Sequence, residues 1–161
     1  MVGDRDSCRC FKCRGACKRR PGYFVPGQVE KVAEFLGTTI QDLFGESLAV
    51  DYLTGEGPDG TDIYVLMPIV LGQTAGVEAP FNPVQMPCVF LKGNGDCSIH
   101  PVRPAECAAY LHGDTDSAAR HVEIGKKWLW HQGQIESLLG YKPVTPFGSA
   151  MDCFLNLLGG D

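Results

Sequence analysis

The residues of this chain best suited to chemistry are its eight cysteines, seven of which lie in two segments. Four thiols occur within ten residues of the first segment, at Cys8, Cys10, Cys13 and Cys17. Core packing does not require such a density, whereas two cysteines separated by two residues, as at Cys10 and Cys13, can place both sulfurs on one metal centre. Gly15 lets the backbone turn tightly, and the surrounding positive charge favours ligating thiolates. We therefore interpret this segment as a metal-binding motif.

The second cysteine segment contains Cys88, Cys97 and Cys107. The turn sequence Gly93-Asn94-Gly95-Asp96 predicts a tight hairpin that brings Cys88 close to Cys97. Pro104 predicts the first position of a helix, which places Cys107 one turn later, directed at the hairpin. The two segments together offer seven candidate ligands. Four thiolates fill one zinc site or one 4Fe–4S cluster, so the number of sites and the four cysteines that share one stay open.

Cysteines at this density also occur in disulfide frameworks, and the cellular compartment distinguishes the two uses. The first twenty residues contain seven Lys and Arg and no apolar stretch, so they predict no secretory signal. The longest apolar run, Ile63 to Leu71, is interrupted by Pro68 and falls short of the ~20 residues that span a bilayer. We therefore expect a cytoplasmic protein without a membrane span. An iron–sulfur cluster of the 4Fe–4S type is the expected cofactor, and zinc is the alternative.

Charge is distributed unevenly along the chain. The net charge is −5, yet half of the fourteen basic residues lie within residues 1–20, together with only Asp4 and Asp6. These cations alternate with cysteines whose thiolates and metal centre would be anionic, so we interpret them as local charge compensation. Nucleic-acid binding by this basic segment is the less favoured alternative.

The fold prediction follows from length, composition and hydrophobic periodicity. A length of 161 residues predicts one domain, in which residues 1–20 form the basic cysteine-rich segment and residues 87–110 the cysteine hairpin and helix start. With 20 glycines and 11 prolines, many turns are expected. Periodicity predicts these elements: helices over 29–36 and 40–44, strands over 48–53 and 62–70, a surface loop over 72–87, one long helix over about 116–139, and a terminal helix over 149–158. We expect a small, loop-rich α+β domain with short helices, a small antiparallel sheet or hairpin, and a metal-binding cysteine cluster.

Several further residues have structural rather than chemical interpretations. Cys153 lies in an apolar helical run, where a free cysteine packs as a small apolar side chain. His100 could ligate a metal, but a hydrogen-bonding role is favoured, and solvated or packing roles are expected for the other three histidines: His112, His121 and His131. Trp128 and Trp130 cannot face the same side of one helix, so one is expected in the core and the other toward a partner.

Five stretches of the chain form a wider pattern: Cys10-Phe11-Lys12-Cys13 through Cys17, Pro26 to Gly37, Pro87-Cys88-Val89-Phe90-Leu91, Cys97-Ser98-Ile99-His100, and Arg103-Pro104-Ala105-Glu106-Cys107. This pattern, which covers most of the chain, resembles the CxxCxxCC family of cysteine-cluster proteins, also called YkgJ-like and described as a zinc- or iron-chelating domain. The chain departs from the family at Ala16, where the family has a cysteine, and Cys8 is the candidate replacement. The resemblance implies metal binding and a relation to a domain of flagellin lysine methylases, but no established reaction.

The residues themselves do not predict catalysis, since the chain has no phosphate loop, no dinucleotide fingerprint after a strand and no CxxxCxxC motif. We first predict an iron–sulfur protein that transfers electrons or serves as a small subunit of a redox assembly, with a protein partner. The alternative is a structural zinc domain that acts as a protein or nucleic-acid interaction module. A methylation-related enzyme would rest on family analogy alone.

Overall fold

The computed structural model describes residues 11–79, 86–110 and 116–143. Within these ranges the chain is α+β, with six short α-helices and one antiparallel pair of strands. The elements are α1 Phe11–Cys17, α2 Gln28–Leu36, α3 Ile40–Ser47, β1 Leu48–Leu53, β2 Ile63–Pro68, α4 Ala105–Ala109, α5 Ser117–Trp128 and α6 Gln132–Leu139. The predicted terminal helix over 149–158 lies outside the described residues. None of the described helices is long and apolar enough to cross a membrane.

Helices α2 and α3 form the predicted helical pair. Helix α2 ends at Gly37, whose φ of 69° lies in the left-handed region that glycine adopts at helix ends. Thr39 caps α3, because its side chain accepts a hydrogen bond from the Asp42 N–H at 3.1 Å. The helix predicted over 40–44 is longer in the structure, since α3 continues through Gly45 to Ser47 and leads directly into β1.

Strands β1 and β2 pair over their full length, from Leu48 opposite Pro68 to Leu53 opposite Ile63. This confirms the predicted antiparallel sheet. The outer edge of β1 is occupied by part of the predicted surface loop: Val50 donates to the Val77 carbonyl at 3.0 Å and accepts from the N–H of residue 79 at 2.7 Å. The described part of the loop therefore extends the small sheet.

The outer edge of β2 is occupied by backbone and by a side chain. The Phe24 N–H donates to the Leu66 carbonyl at 2.9 Å. The Gln132 side-chain amide accepts from the Tyr64 N–H and donates to the Tyr64 carbonyl, both at 2.9 Å. A glutamine side chain thus replaces a peptide unit at this edge and satisfies two backbone groups that the sheet alone would leave unpaired.

The prediction of one long helix over 116–139 is wrong. Residues 129–131 separate α5 from α6, and the His131 N–H bonds to the Trp128 carbonyl at 2.9 Å. The break places Gln132 at the edge of β2, whereas the apolar spacing alone continues across it. Gly125 lies where α5 packs closely on β1, because a Cβ there would lie 3.3 Å from the Leu53 Cδ1 atom.

Replacement of Gln132 by alanine is expected to lower the free energy of unfolding by about 1–3 kcal/mol, because the two Tyr64 backbone groups lose their partner. Urea denaturation would measure the change. Gln41→Ala provides the control, since Gln41 is exposed on α3, and its effect should stay within about 0.5 kcal/mol. Equal stability of the two variants would contradict the role of Gln132.

The two tryptophans occupy opposite environments, as predicted. Trp128 is fully buried in the core between the helices and the sheet, and its indole N–H donates to the Phe24 carbonyl at 2.7 Å. Trp130 is 85% exposed. Two residues apart, the chain therefore has the largest fully buried side chain among the described residues, Trp128, and a largely exposed aromatic ring, Trp130.

Candidate metal centre

Four of the seven predicted ligands have described side chains, and all four are free thiols: Cys17, Cys88, Cys97 and Cys107. Cys17 is the last residue of α1, Cys107 lies in α4, and the other two cysteines flank the turn over residues 92–96. The remaining predicted ligands lie outside what the structure describes: Cys8, Cys10 and the side chain of Cys13. Cys153, predicted to pack in the core, lies outside it as well.

The two cysteine segments meet in space. The Cys88 N–H donates to the Cys17 carbonyl at 2.8 Å, which joins the end of α1 to the second segment. Electrostatic repulsion acts between several pairs of thiolates: Cys17 with Cys97, Cys88 with both of them, and Cys107 with Cys17 and Cys88. Thiols from distant parts of the sequence therefore form one group.

The turn between Cys88 and Cys97 is less regular than the predicted hairpin. Only the Leu91–Cys97 pair forms a bridge, and Cys88 forms its own bridge with Val70. The backbone curls at Cys88, where the Leu91 N–H donates to the Cys88 carbonyl at 3.0 Å, so no strand continues from it. The tight turn predicted from the Asn-Gly sequence is present, but the two flanking strands are not.

Backbone N–H groups of other residues point at three of the four sulfurs, and Cys17 has its own N–H as a donor. The donors are Phe90 and Leu91 for Cys88, Ile99 for Cys97, and Gly22 for Cys107. Such hydrogen bonds favour the thiolate form, and they are among the features by which proteins set the reduction potential of iron–sulfur clusters. The backbone around these cysteines thus supplies hydrogen-bond donors to their sulfur atoms.

Burial outweighs these hydrogen bonds in the metal-free chain. It raises the pKa of all four thiols, that of Cys88 to about 12 and that of Cys107 well above its ordinary value. At Cys97 the positive charges of Arg103 and Lys92 lower the pKa, but less than burial raises it. At Cys17, the one described thiol of the first segment, burial and the charge of Cys97 raise the pKa. A bound metal must displace the protons.

Gly22 is a site residue that the sequence analysis does not single out. Its N–H bonds to the Cys107 sulfur, and a Cβ at this position would lie 2.7 Å from that sulfur and 2.9 Å from the Cys107 nitrogen. Real Cβ atoms do not approach so closely, so only glycine fits without displacement of α4. The Pro21-Gly22 pair was the sequence signal.

Glu106 fixes α4 to two other parts of the chain. Its carboxylate accepts the Tyr23 N–H at 2.8 Å and pairs with the His121 ring of α5 at 2.8 Å. Burial alone would raise the pKa of Glu106, but the hydrogen bonds from His121 and Tyr23 outweigh it and lower the pKa below 4.5. The hydrogen bond to Glu106 gives His121 a structural role, as expected. The contacts of Glu106 also hold the neighbouring Cys107 in place.

The Glu106→Gln variant is expected to lose about 1.5–3 kcal/mol of stability at neutral pH, because a charged acceptor of two hydrogen bonds is replaced. A lowered carboxyl pKa contributes stability that is present above the ordinary pKa and is lost as the pH falls through the folded-state value. The difference between wild type and variant should therefore shrink below pH 4.5. Urea titrations of the metal-free proteins at several pH values would measure it, and a difference independent of pH would contradict the prediction.

The described thiols do not form a site for a single ion. Within residues 11–79, 86–110 and 116–143, no group of three or more His, Cys, Asp or Glu side chains is arranged so that it could hold one metal ion. A tetrahedral zinc site with Zn–S bonds of about 2.3 Å would bring its four sulfurs to within roughly 4 Å of one another.

The spatial arrangement of the thiols carries the functional argument, because comparison with known proteins adds no relative. The resemblance to the CxxCxxCC family stays a prediction from the sequence. No protein-family model, no curated protein and no solved structure matches this chain.

Proposed function

We propose that Cys17, Cys88, Cys97 and Cys107 together hold a 4Fe–4S cluster, and that the protein transfers electrons or serves as a small subunit of a redox assembly. The observation that carries this proposal is the convergence of four thiols from α1, the 92–96 turn and α4. Thiolates that are desolvated and repel one another are unfavourable unless a cationic centre neutralises them.

A cubane and a zinc site differ in the spacing that they require of their four thiols. In a cubane each thiolate binds a different iron atom, so the four sulfurs lie farther apart than around one ion. The cluster, when bound, supplies one-electron chemistry.

The residues of the chain would tune such a centre. Backbone N–H groups directed at Cys88, Cys97 and Cys107 stabilise negative charge on sulfur and favour the reduced state. Burial of the same thiols excludes water and disfavours added negative charge. The reduction potential would follow from the balance of these two effects.

Structural zinc is the second candidate, and one observation favours it. Helix α1 has seven residues and α4 has five, which is too short for either helix to be stable without support. A metal bound by Cys17 and Cys107 would join both helices to the turn between Cys88 and Cys97 and contribute directly to folding.

Purification without oxygen, followed by analysis of iron, zinc and acid-labile sulfide, tests the proposal. We expect a brown protein with about four iron and four sulfide per chain, and a reduced form that is visible by electron paramagnetic resonance. Zinc at one equivalent without labile sulfide would overturn the cluster and support the structural alternative.

Cysteine variants then test the ligand set. Cys88→Ser and Cys107→Ser are each expected to lose most of the iron and sulfide per folded chain, because serine is a poor ligand for iron–sulfur clusters. Cys153→Ser is the matched control, since the sequence separates Cys153 from both cysteine segments, and it should keep the wild-type content. Full iron content in Cys88→Ser and Cys107→Ser would contradict the assignment.

A further inference from the structure

A cavity of about 420 Å³ lies beside β1 and is not used by the proposed cluster. Its wall combines both charges, aromatic rings and apolar surface, and its main residues are Arg19, Arg20, Tyr23, Asp51, Tyr52, Met67 and Val70. Cavities of roughly 300–1,000 Å³ with a few convergent polar groups are typical of small-molecule sites. The size of this cavity is therefore within the range of small-molecule sites.

The cationic wall of the cavity is formed by two arginines after α1. Arg19 donates its Nε–H to the Gly15 carbonyl at 3.1 Å, and its terminal nitrogens have no hydrogen-bond partner among the described residues. Arg20 lies over the Tyr23 ring at 4.8 Å, with its Nη2 atom 3.5 Å from the His121 ring nitrogen. One guanidinium is thus fixed in place, while the other has donors free to bind an anion.

The anionic wall is formed by Asp51 of β1. Its two carboxylate oxygens accept the Tyr23 hydroxyl at 2.6 Å and the Tyr52 N–H at 2.8 Å. Each oxygen can accept one more hydrogen bond. Burial raises the pKa of Asp51 more than its two hydrogen bonds and the nearby Arg20 and His121 lower it, so the charged form would gain from a further cationic partner.

Neither charge is in excess around the cavity. Arg19 and Arg20 line the cavity together with Asp51, and Arg20 also interacts electrostatically with Asp51 and with the nearby Glu106. A simple anion would bring no further cationic donor to Asp51, and a simple cation would leave the terminal nitrogens of Arg19 without an acceptor. A ligand that carries both charges satisfies both walls.

We propose that this cavity binds a small zwitterion of the α-amino-acid class with an apolar side chain. The carboxylate lies at Arg19 and Arg20, the ammonium group lies at Asp51, and the side chain packs on Met67 and Val70. Residues 21–23 connect this cavity to α4, because Gly22 lies against Cys107 and the Tyr23 N–H donates to Glu106. The bound zwitterion would therefore lie near the cysteines of the proposed cluster.

Isothermal titration of the full-length protein with three matched probes tests the proposal. L-leucine carries both charges, isocaproate lacks its amino group and isoamylamine lacks its carboxylate. We expect L-leucine to bind and each of the other probes to bind at least about tenfold more weakly, which corresponds to 1.4 kcal/mol. No binding of L-leucine at millimolar concentration would overturn the proposal, as would equal binding of isocaproate or isoamylamine.

Variants locate the site on the protein. Arg19→Gln and Asp51→Asn are each expected to weaken L-leucine binding about tenfold or more, because each removes a charge-assisted hydrogen bond. Lys18→Gln is the matched control, since Lys18 is an exposed neighbour that does not line the cavity. Wild-type affinity in both Arg19→Gln and Asp51→Asn, with a native circular dichroism spectrum, would overturn the site. Iron and sulfide content should stay unchanged in Arg19→Gln, so this outcome is independent of the cluster.

Discussion

Replacement of Gly22 by alanine is expected to displace Cys107 and to remove most of the iron and sulfide of the proposed cluster. The new Cβ would lie 2.7 Å from the Cys107 sulfur and 2.9 Å from a backbone nitrogen of α4, so a side-chain rotation alone cannot relieve the contact. Overpacking of this kind typically costs about 1–3 kcal/mol. Metal and sulfide analysis of anaerobically purified protein, together with urea denaturation, would measure both effects.

Gly133→Ala is the matched control for this variant. Gly133 lies in α6, a Cβ there would have no atom within 4 Å, and alanine is the better helix former. The control should keep its metal and gain up to about 1 kcal/mol of stability. Wild-type iron content in Gly22→Ala would show that Cys107 tolerates displacement or is not a ligand.

Replacement of Trp128 by alanine is expected to lower the free energy of unfolding by about 3–5 kcal/mol, which a small domain can barely tolerate. Trp128 is fully buried and also satisfies the Phe24 carbonyl. Thermal and urea denaturation of the metal-free protein would measure the loss without interference from the cluster.

Two further variants separate the contributions of Trp128. Trp128→Phe keeps most of the apolar surface but leaves the Phe24 carbonyl unpaired, at a cost of about 1–3 kcal/mol. Trp130→Ala removes an exposed ring and should change stability by no more than about 0.5 kcal/mol. A Trp130→Ala variant as unstable as Trp128→Ala would contradict the assignment of Trp128 to the core.

Local signals in the sequence were sufficient to predict much of the fold. Strand β1 was predicted to the residue, because its apolar run lies between a helix and a glycine-rich turn. Helix α2 was predicted well because its apolar spacing and Gly37 agree. These elements are determined by short-range preferences that a sequence shows directly.

Long-range contacts determined what could not be predicted. The break before α6 allows the Gln132 side chain to accept the Tyr64 N–H of β2, and the apolar spacing does not predict this break. The role of Gly22 depends on a close approach to α4, which is distant in sequence. For the same reason, no local pattern indicates that Asp51 and Arg19 share a cavity. In the candidate centre, the cysteines were identifiable by type and spacing, whereas their burial and mutual repulsion required the structure.

The bonds along both outer margins of the sheet have a consequence for assembly in solution. Unpaired strand margins are sites where a second chain can add, which leads to domain swapping or fibrils. Here Val50 on one side, and Tyr64 and Leu66 on the other, already have intramolecular partners. Without these partners, a two-stranded sheet of this size would be unstable and prone to aggregate. Any protein partner is therefore expected to recognise side chains of this chain rather than to lengthen its sheet at these positions.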